Sequence, residues 1–295
     1  MNMTSMTWLI RRELWEHRAI WMVPTAILGL LLLAAVTGNI ALGNLEIDVG
    51  GGHLQQMTDE QRATAVAVLV AVIIGLFMAS MAFVGTFYAL DALYADRRDR
   101  SVLFWKSLPV SDLETVLAKL LTAAVVIPLH GLAAGVIGYF IVAIGASVKL
   151  AMLGGPVALL WMPGVMLQTL AMVAGFVFTY VLWVLPVIAW LLLASAWAPR
   201  APFLWATLPV FAAAALEKLA LGTDWVVGLI DYRISGMPEQ IFSGADADWA
   251  QMAGGELLSR SLYLFFSPDM WLGWAAAAGL MAATIWVRRY REESI

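Results

Sequence analysis

The stretch AIWMVPTAILGLLLLAAVTGNIAL, from Ala19 to Leu42, decides the class of fold. It contains no charged residue. At about 1.5 Å per helical residue it reaches roughly 36 Å, enough to cross a hydrocarbon core of about 30 Å. It is too long for the apolar core of a signal peptide, and no cleavage pattern of small residues follows it. The stretch therefore predicts an uncleaved transmembrane helix.

The composition of the whole chain extends this conclusion. Hydrophobic residues make up 62% of the sequence and charged residues only 13%, against about half and about a quarter in soluble domains. The apolar residues lie in long uninterrupted runs instead of at helical or strand periods. The basic residues lie beside these runs and the net charge is only -4, which gives no indication of nucleic-acid binding. The absence of cysteine excludes disulfides and thiolate metal sites.

We predict an all-α integral membrane protein with one transmembrane domain over residues 1–295. An interfacial segment from Trp8 to Arg18 precedes the first span, and polar external segments cover 43–62 and 222–269. The apolar parts of the second external segment are expected to lie on or dip into the outer leaflet. The six spans are expected at about 19–42, 63–90, 120–146, 165–194, 203–221 and 270–287.

The number of spans depends on the uncharged stretch 157–198, which is long for one span and short for two. Counting it as one span gives an even total and places both termini on the same side. The positive-inside rule then favours six spans and cytoplasmic termini. The cytoplasmic basic residues would be Arg11, Arg12, Arg18, Arg97, Arg98, Arg100, Lys106, Lys119, Arg200, Arg288, Arg289 and Arg291. The external ones would be Arg62, Lys149, Lys218, Arg233 and Arg260.

The cytoplasmic loop 91–119 carries the most informative pattern. A helix is expected from Asp96 to Leu108, with charges first and then an apolar face that a solvated loop does not need. Pro109 ends that helix, and Ser111 and Glu114 form a capping box that starts the next one. From the residues alone, the segment is either a connector lying on the membrane surface or a docking site for a partner.

This loop resembles the signature of type 2 permease subunits of ABC exporters. That signature has an acidic-Arg pair, a Gly-Thr-Leu turn, a Pro-x-Ser and then a Lys. The matching residues are Asp96-Arg97, Ser101 at the threonine place, Leu108-Pro109-Val110-Ser111 and Lys119, whereas Arg100 replaces the glycine and Val102 the leucine. The six-span layout resembles the family over nearly the whole chain.

The resemblance implies a subunit of the bacterial inner membrane that forms a translocation pathway. It would pair with a second copy or a similar permease and with two ATP-binding subunits, which would hold ATP and Mg. The chain itself has no phosphate-binding loop and is expected to have no nucleotide site or cofactor. The residues expected to couple to the ATPase are Asp96, Arg97, Arg98, Arg100, Ser101, Phe104, Trp105, Lys106, Pro109, Ser111 and Lys119.

Few polar residues lie inside the predicted spans. The three histidines His17, His53 and His130 are far apart and have no metal-binding spacing, so neither a metal site nor an enzyme is expected. The polar residues that either line a pathway or bridge helices are Asn39, His130, Gln168, Thr169, Thr179 and Tyr180. Gly131 and Gly135 form a GxxxG pair that serves either packing within the bundle or a dimer face.

Two other functions stay open at this point. An ion-coupled secondary transporter or channel is disfavoured because the spans hold no acidic residue at mid-depth. A membrane anchor or sensor subunit without transport activity is the second alternative.

The topology predicts distinct labelling of single cysteines on intact cells. Cysteines at Gly51 and Ser243 should react with an impermeant maleimide, whereas one at Ser101 should be protected on the cytoplasmic side. Equal labelling at Ser101 and Gly51 would overturn the predicted topology.

Overall fold

The computed structural model describes residues 3–37, 41–42, 45–46, 56–99, 110–242 and 254–291. Most of these residues are helical, and six helices are long and apolar enough to cross a membrane. The protein is therefore a multi-pass, all-α membrane protein, apart from one two-residue hairpin. The helices are α1 (Met3–Glu16), α2 (Ala19–Thr37), α3 (Asp59–Arg98), α4 (Asp112–Leu121), α5 (Ile127–Met152), α6 (Pro163–Trp183), α7 (Leu185–Trp197), α8 (Pro202–Leu221), α9 (Trp225–Ile234), α10 (Gly236–Phe242), α11 (Gly254–Phe265) and α12 (Pro268–Arg291).

The first three spans differ from the sequence prediction at their ends. The first helix ends at Thr37, and Ala41–Leu42 pairs instead with Leu45–Glu46 as an antiparallel hairpin, β1 with β2. The second predicted span ended at residue 90, whereas helix α3 continues to Arg98. Its last turns contain charged residues that follow the apolar run. The third crossing begins at Asp112 and passes from α4 through a π-helical turn, Thr122–Val126, into α5. Much of the predicted loop 91–119 is therefore helix.

The fourth crossing is broken in the middle, whereas the sequence predicted one helix over 165–194. Helix α6 ends at Trp183 and α7 begins at Leu185, where Pro186 cannot donate a helical hydrogen bond. Val165 shares a hydrophobic cluster with Val66 at the start of α3, and the Ser195 hydroxyl accepts a 3.0 Å hydrogen bond from the Leu93 amide near its end. Both halves therefore run in the same direction as α3 and make one crossing.

The region before the last helix packs against this break. Trp183 is fully buried with Met237, Ile241, Leu264 and Met270. The Trp274 indole, near the start of α12, donates a 3.2 Å hydrogen bond to the Leu182 carbonyl. The last crossing thus begins beside the middle of the fourth one, and α9, α10 and α11 fill the space alongside α6.

Small residues allow α2, α3 and α5 to pack closely. The backbone of Gly135 lies so near α3 that an added methyl group would come 3.0 Å from the Ile74 Cα. A methyl group on Gly145 would lie 2.7 Å from the Ala35 Cβ of α2. Gly131 likewise faces Met78 and Met81. Of the two roles left open for the GxxxG pair, packing within one chain is the one seen in the structure.

The close approach at Gly145 predicts a selective effect of added volume. Gly145→Ala should destabilise the protein by about 1–3 kcal/mol, because α2 and α5 must separate to admit the methyl group. Gly75→Ala is the matched control, since nothing lies within 4 Å of a methyl group there. The measurement is the apparent melting temperature in detergent. Equal melting temperatures for the two variants would contradict this packing.

Candidate functional site: a buried charge cluster

Three acidic and three basic side chains from four helices meet at one end of the bundle. We call this group the charge cluster; its members are Arg12 and Glu13 of α1, Asp96 of α3, Asp112 and Lys119 of α4, and Arg288 of α12. Glu13, Asp96, Lys119 and Arg288 are buried. The acids and bases balance in number, as burial in a medium of low dielectric requires.

Lys119 lies at the centre of the cluster and is fully buried. Its ammonium group is 3.0 Å from Glu13 Oε1 and 3.4 Å from Asp96 Oδ2. It also donates a 2.7 Å hydrogen bond to the carbonyl oxygen of Ala92. An ammonium group has three donors, so this environment provides an acceptor for each of them.

Asp96 connects the other basic residues to Lys119. Its Oδ1 accepts a 3.0 Å hydrogen bond from Arg12, and its Oδ2 accepts one of 3.3 Å from Arg288. Arg288 also donates a 3.0 Å hydrogen bond to Asp112 at the start of α4. The Asp96 carboxylate thus joins α1, α3, α4 and α12 in one network.

The α1 side of the cluster is held by Glu13 and Arg12. The Tyr88 hydroxyl donates a 2.8 Å hydrogen bond to Glu13 Oε2. Burial by itself lowers the pKa of Arg12, but the hydrogen bond to Glu16 and the negative charges of Asp96 and Glu13 raise that pKa overall. Arg12 therefore remains charged, and α1 is bound to the bundle through ion pairs.

Arg97 contacts the end of α7. Its guanidinium donates hydrogen bonds of 2.6 and 2.8 Å to the carbonyl oxygens of Ser195 and Ala198. These carbonyls lie at a helix C-terminus, where a cation is favourable. Arg97 is partly buried at this contact.

Of the other predicted coupling residues, some lie in the described ranges and some lie outside them. Arg98 is exposed and pairs with Asp99 at 3.0 Å and with Asp91 at 3.7 Å. The predicted capping box is confirmed, because the Ser111 hydroxyl accepts from the Glu114 amide and the Glu114 carboxylate accepts from the Ser111 amide. The predicted residues that lie outside the described ranges are Arg100, Ser101, Phe104, Trp105, Lys106 and Pro109.

Four of the candidate pathway residues form hydrogen bonds in the described ranges. The hydroxyls of Thr169 and Thr179 donate to carbonyls of their own helix, at 2.9 and 3.0 Å. A ring nitrogen of His130 lies 2.9 Å from the Val126 carbonyl, and the Tyr180 hydroxyl donates to Ile234. Gln168 is exposed, and Asn39 lies outside the described residues. The hydrogen bonds of Thr169, Thr179 and His130 are thus local, and that of Tyr180 bridges two helices.

Comparison of the chain with protein-family models, curated proteins and solved structures found no match. Within the described ranges, no three His, Asp or Glu side chains are grouped in a way that would hold a metal ion. The charge cluster is therefore the feature of the described structure on which a functional proposal rests.

Sequence reasoning found only part of the cluster. Asp96 and Lys119 were selected through the family resemblance, whereas Arg12 and Arg288 were counted only as indicators of topology. Glu13, Tyr88 and Asp112 were not singled out, because their sequence neighbours give no sign of burial. The one available signal was that charged side chains flank four different spans at the same predicted end.

The central position of Lys119 predicts a large stability effect. Lys119→Met should lower stability by about 3–5 kcal/mol, because it removes the ammonium group that pairs with the buried carboxylates of Glu13 and Asp96. The exposed Lys149→Met should change stability by less than about 0.5 kcal/mol. Both are measured by thermal unfolding in detergent.

Glu13→Gln in the Lys119→Met background is a second check on the electrostatic origin. Removing one acid together with the base should restore part of the lost stability. A double variant less stable than Lys119→Met alone would show that packing, not charge, dominates at this position.

Proposed function

We propose that the chain is the permease subunit of an ATP-driven ABC-type exporter of the bacterial inner membrane. It pairs with a second copy or a similar permease and with two separate ATP-binding subunits, which hold ATP and Mg. The segment between α3 and α4 is the element that docks on the ATPase.

The observation that carries this proposal is the ion pair between Asp96 and Lys119. These two residues stand near the two ends of the motif that resembles the permease signature, and their charged groups are 3.4 Å apart. The ends of the segment are thereby held together inside the bundle. If the ends of a docked segment are fixed to each other, a movement of the segment also moves the helices to which it is attached.

The contacts of the two ends define where such a displacement would go. Through Asp96 and Lys119 it reaches α1 and α12. Through Arg97 it reaches the end of α7, in the inner half of the broken fourth crossing. A displacement of this one short segment would thus reach five helices. Such a connection is needed if closure of the ATPase subunits is to change the arrangement of the transmembrane helices.

The position of the charges supports this proposal over an ion-coupled transporter. In such a transporter the coupling carboxylate lies near mid-membrane. Here Asp96 lies in the last turn of α3, and the run from Ala63 to Leu90 before it carries no acidic residue. The cluster is at the end of the bundle, next to the segment that would meet a partner.

Assembly with the ATPase tests the proposal. Phe104→Ala with Trp105→Ala should reduce copurification of the ATP-binding subunit by at least about tenfold, since buried aromatic anchors each contribute about 2 kcal/mol or more. Phe178→Ala with Phe211→Ala is the matched control, because both side chains are exposed on the faces of α6 and α8. This control should copurify normally.

The isolated chain provides the complementary measurement. It should neither bind nor hydrolyse ATP, whereas the complex should do both. Stoichiometric nucleotide binding by the chain alone, or normal assembly and transport by the Phe104 and Trp105 variant, would contradict the proposed division of labour.

A further inference from the structure

A cavity of about 560 Å³ opens beside the charge cluster. It lies between the first turns of α2, the stretch 83–94 of α3 and the start of α8. Its walls are mostly apolar, formed by side chains such as Val23, Phe83, Val84, Phe87 and Phe203. Phe83, Phe87 and Phe203 are also exposed on the outside of the bundle. The cavity is thus open sideways, towards the surface that lipid covers.

Besides the two tyrosines Tyr88 and Tyr94, the polar residues that line the cavity are His17, Arg18 and Asp91. Arg18 is exposed, and within the described ranges its guanidinium has neither an ion pair nor a hydrogen bond. Asp91 is half-exposed; the Arg98 guanidinium lies 3.7 Å from its carboxylate and a ring nitrogen of His17 lies 4.0 Å from it. Both distances exceed hydrogen-bond range. The cavity therefore presents one cation and one carboxylate that still have hydrogen-bonding capacity.

We propose that this cavity binds a zwitterionic phospholipid with a primary ammonium group, such as phosphatidylethanolamine. One acyl chain lies between the aromatic walls, the phosphate binds Arg18, and the ammonium donates to Asp91. The volume is within the roughly 300–1,000 Å³ of small-molecule sites. Charge-assisted hydrogen bonds, such as those of guanidinium to phosphate and of ammonium to carboxylate, are stronger than hydrogen bonds between neutral groups.

The charge pattern selects this headgroup over two common alternatives. An anionic phospholipid would satisfy Arg18 but would bring no ammonium group to Asp91, and it would place a further negative charge beside this carboxylate. A quaternary ammonium headgroup has no N–H and therefore donates no hydrogen bond to Asp91. Only a headgroup with a phosphate and a primary ammonium complements both residues.

The depth of the cavity agrees with a headgroup location. Helix α1, which leads into Arg18, carries the exposed side chains of Trp8 and Trp15, and Arg11 stacks on both rings. Tryptophan and arginine concentrate where the membrane meets water. The lipid would therefore come from the leaflet level with α1. This binding does not depend on an ATPase partner.

Photocrosslinking to the purified chain tests the site. The probe is phosphatidylethanolamine with a diazirine in one acyl chain, and labelled peptides are identified by mass spectrometry. Labelling should concentrate on the stretches 19–23 and 83–90. Unlabelled phosphatidylethanolamine should compete about tenfold better than phosphatidylglycerol or phosphatidylcholine, as the loss of one charge-assisted hydrogen bond implies.

Two pairs of variants separate the cavity from general lipid contact. Ala19→Trp fills the cavity and should remove the labelling, whereas Ala26→Trp, two turns further along the same exposed face of α2, should not. Arg18→Gln should weaken the labelling, because the lipid phosphate loses its charge-assisted hydrogen bond. Arg289→Gln, at an equally exposed arginine of α12, should leave the labelling unchanged.

Labelling spread evenly over the exposed helix faces, or unchanged in Ala19→Trp, would overturn the site. Equal competition by phosphatidylglycerol would overturn the assignment of Asp91 to an ammonium group. Neither result bears on ATPase assembly, so this proposal and the proposed transport function fail independently.

Discussion

The buried ammonium group of Lys119 is the constraint on which one end of this protein depends. A charge of this kind costs several kcal/mol to remove from water unless opposite charges and hydrogen bonds replace the solvent. Glu13 and Asp96 supply the charges and the Ala92 carbonyl supplies a further acceptor. Each of these groups must stay in place for Lys119 to remain buried. The positions of α1, α3 and α4 are fixed relative to one another by that requirement.

The fourth crossing is held by polar contacts at the end of α7 and by apolar packing at the break between α6 and α7. At its C-terminal end, Arg97 and the backbone of α3 bind the last turn of α7. At its break, the buried Trp183 is surrounded by apolar side chains, and the Arg233 guanidinium lies 4.8 Å from its ring, a cation–π contact. The break thus has packing partners from the region before the last helix, and α7 has polar partners from α3.

Tyr88 connects the charge cluster to the neighbouring cavity. The Tyr88 hydroxyl binds Glu13 while its ring forms part of the cavity wall. The His17 ring contacts Tyr88 edge-to-face at 4.7 Å. A lipid in the cavity would thus contact groups that also hold α1 in place. Lipid occupancy and movement of the segment between α3 and α4 would act on the same few residues.

The sequence by itself determined the membrane class, the six crossings and the capping box at Ser111. Each follows from local chemistry, because a long uncharged run has no other stable environment than lipid and a cap needs only residues three apart. The resemblance also selected Asp96 and Lys119. It did not indicate that they bind each other.

Only the tertiary structure decided the rest. The packing of α9 to α11 along α6 depends on neighbours distant in the chain, such as Trp183 with Met237 and Leu264. The same holds for the charge cluster, where Glu13 and Lys119, or Asp96 and Arg288, are far apart in sequence and form ion pairs in space. Whether a charged residue near the end of a span is solvated or buried depends on which helices surround it. Composition and spacing along one chain do not contain that information.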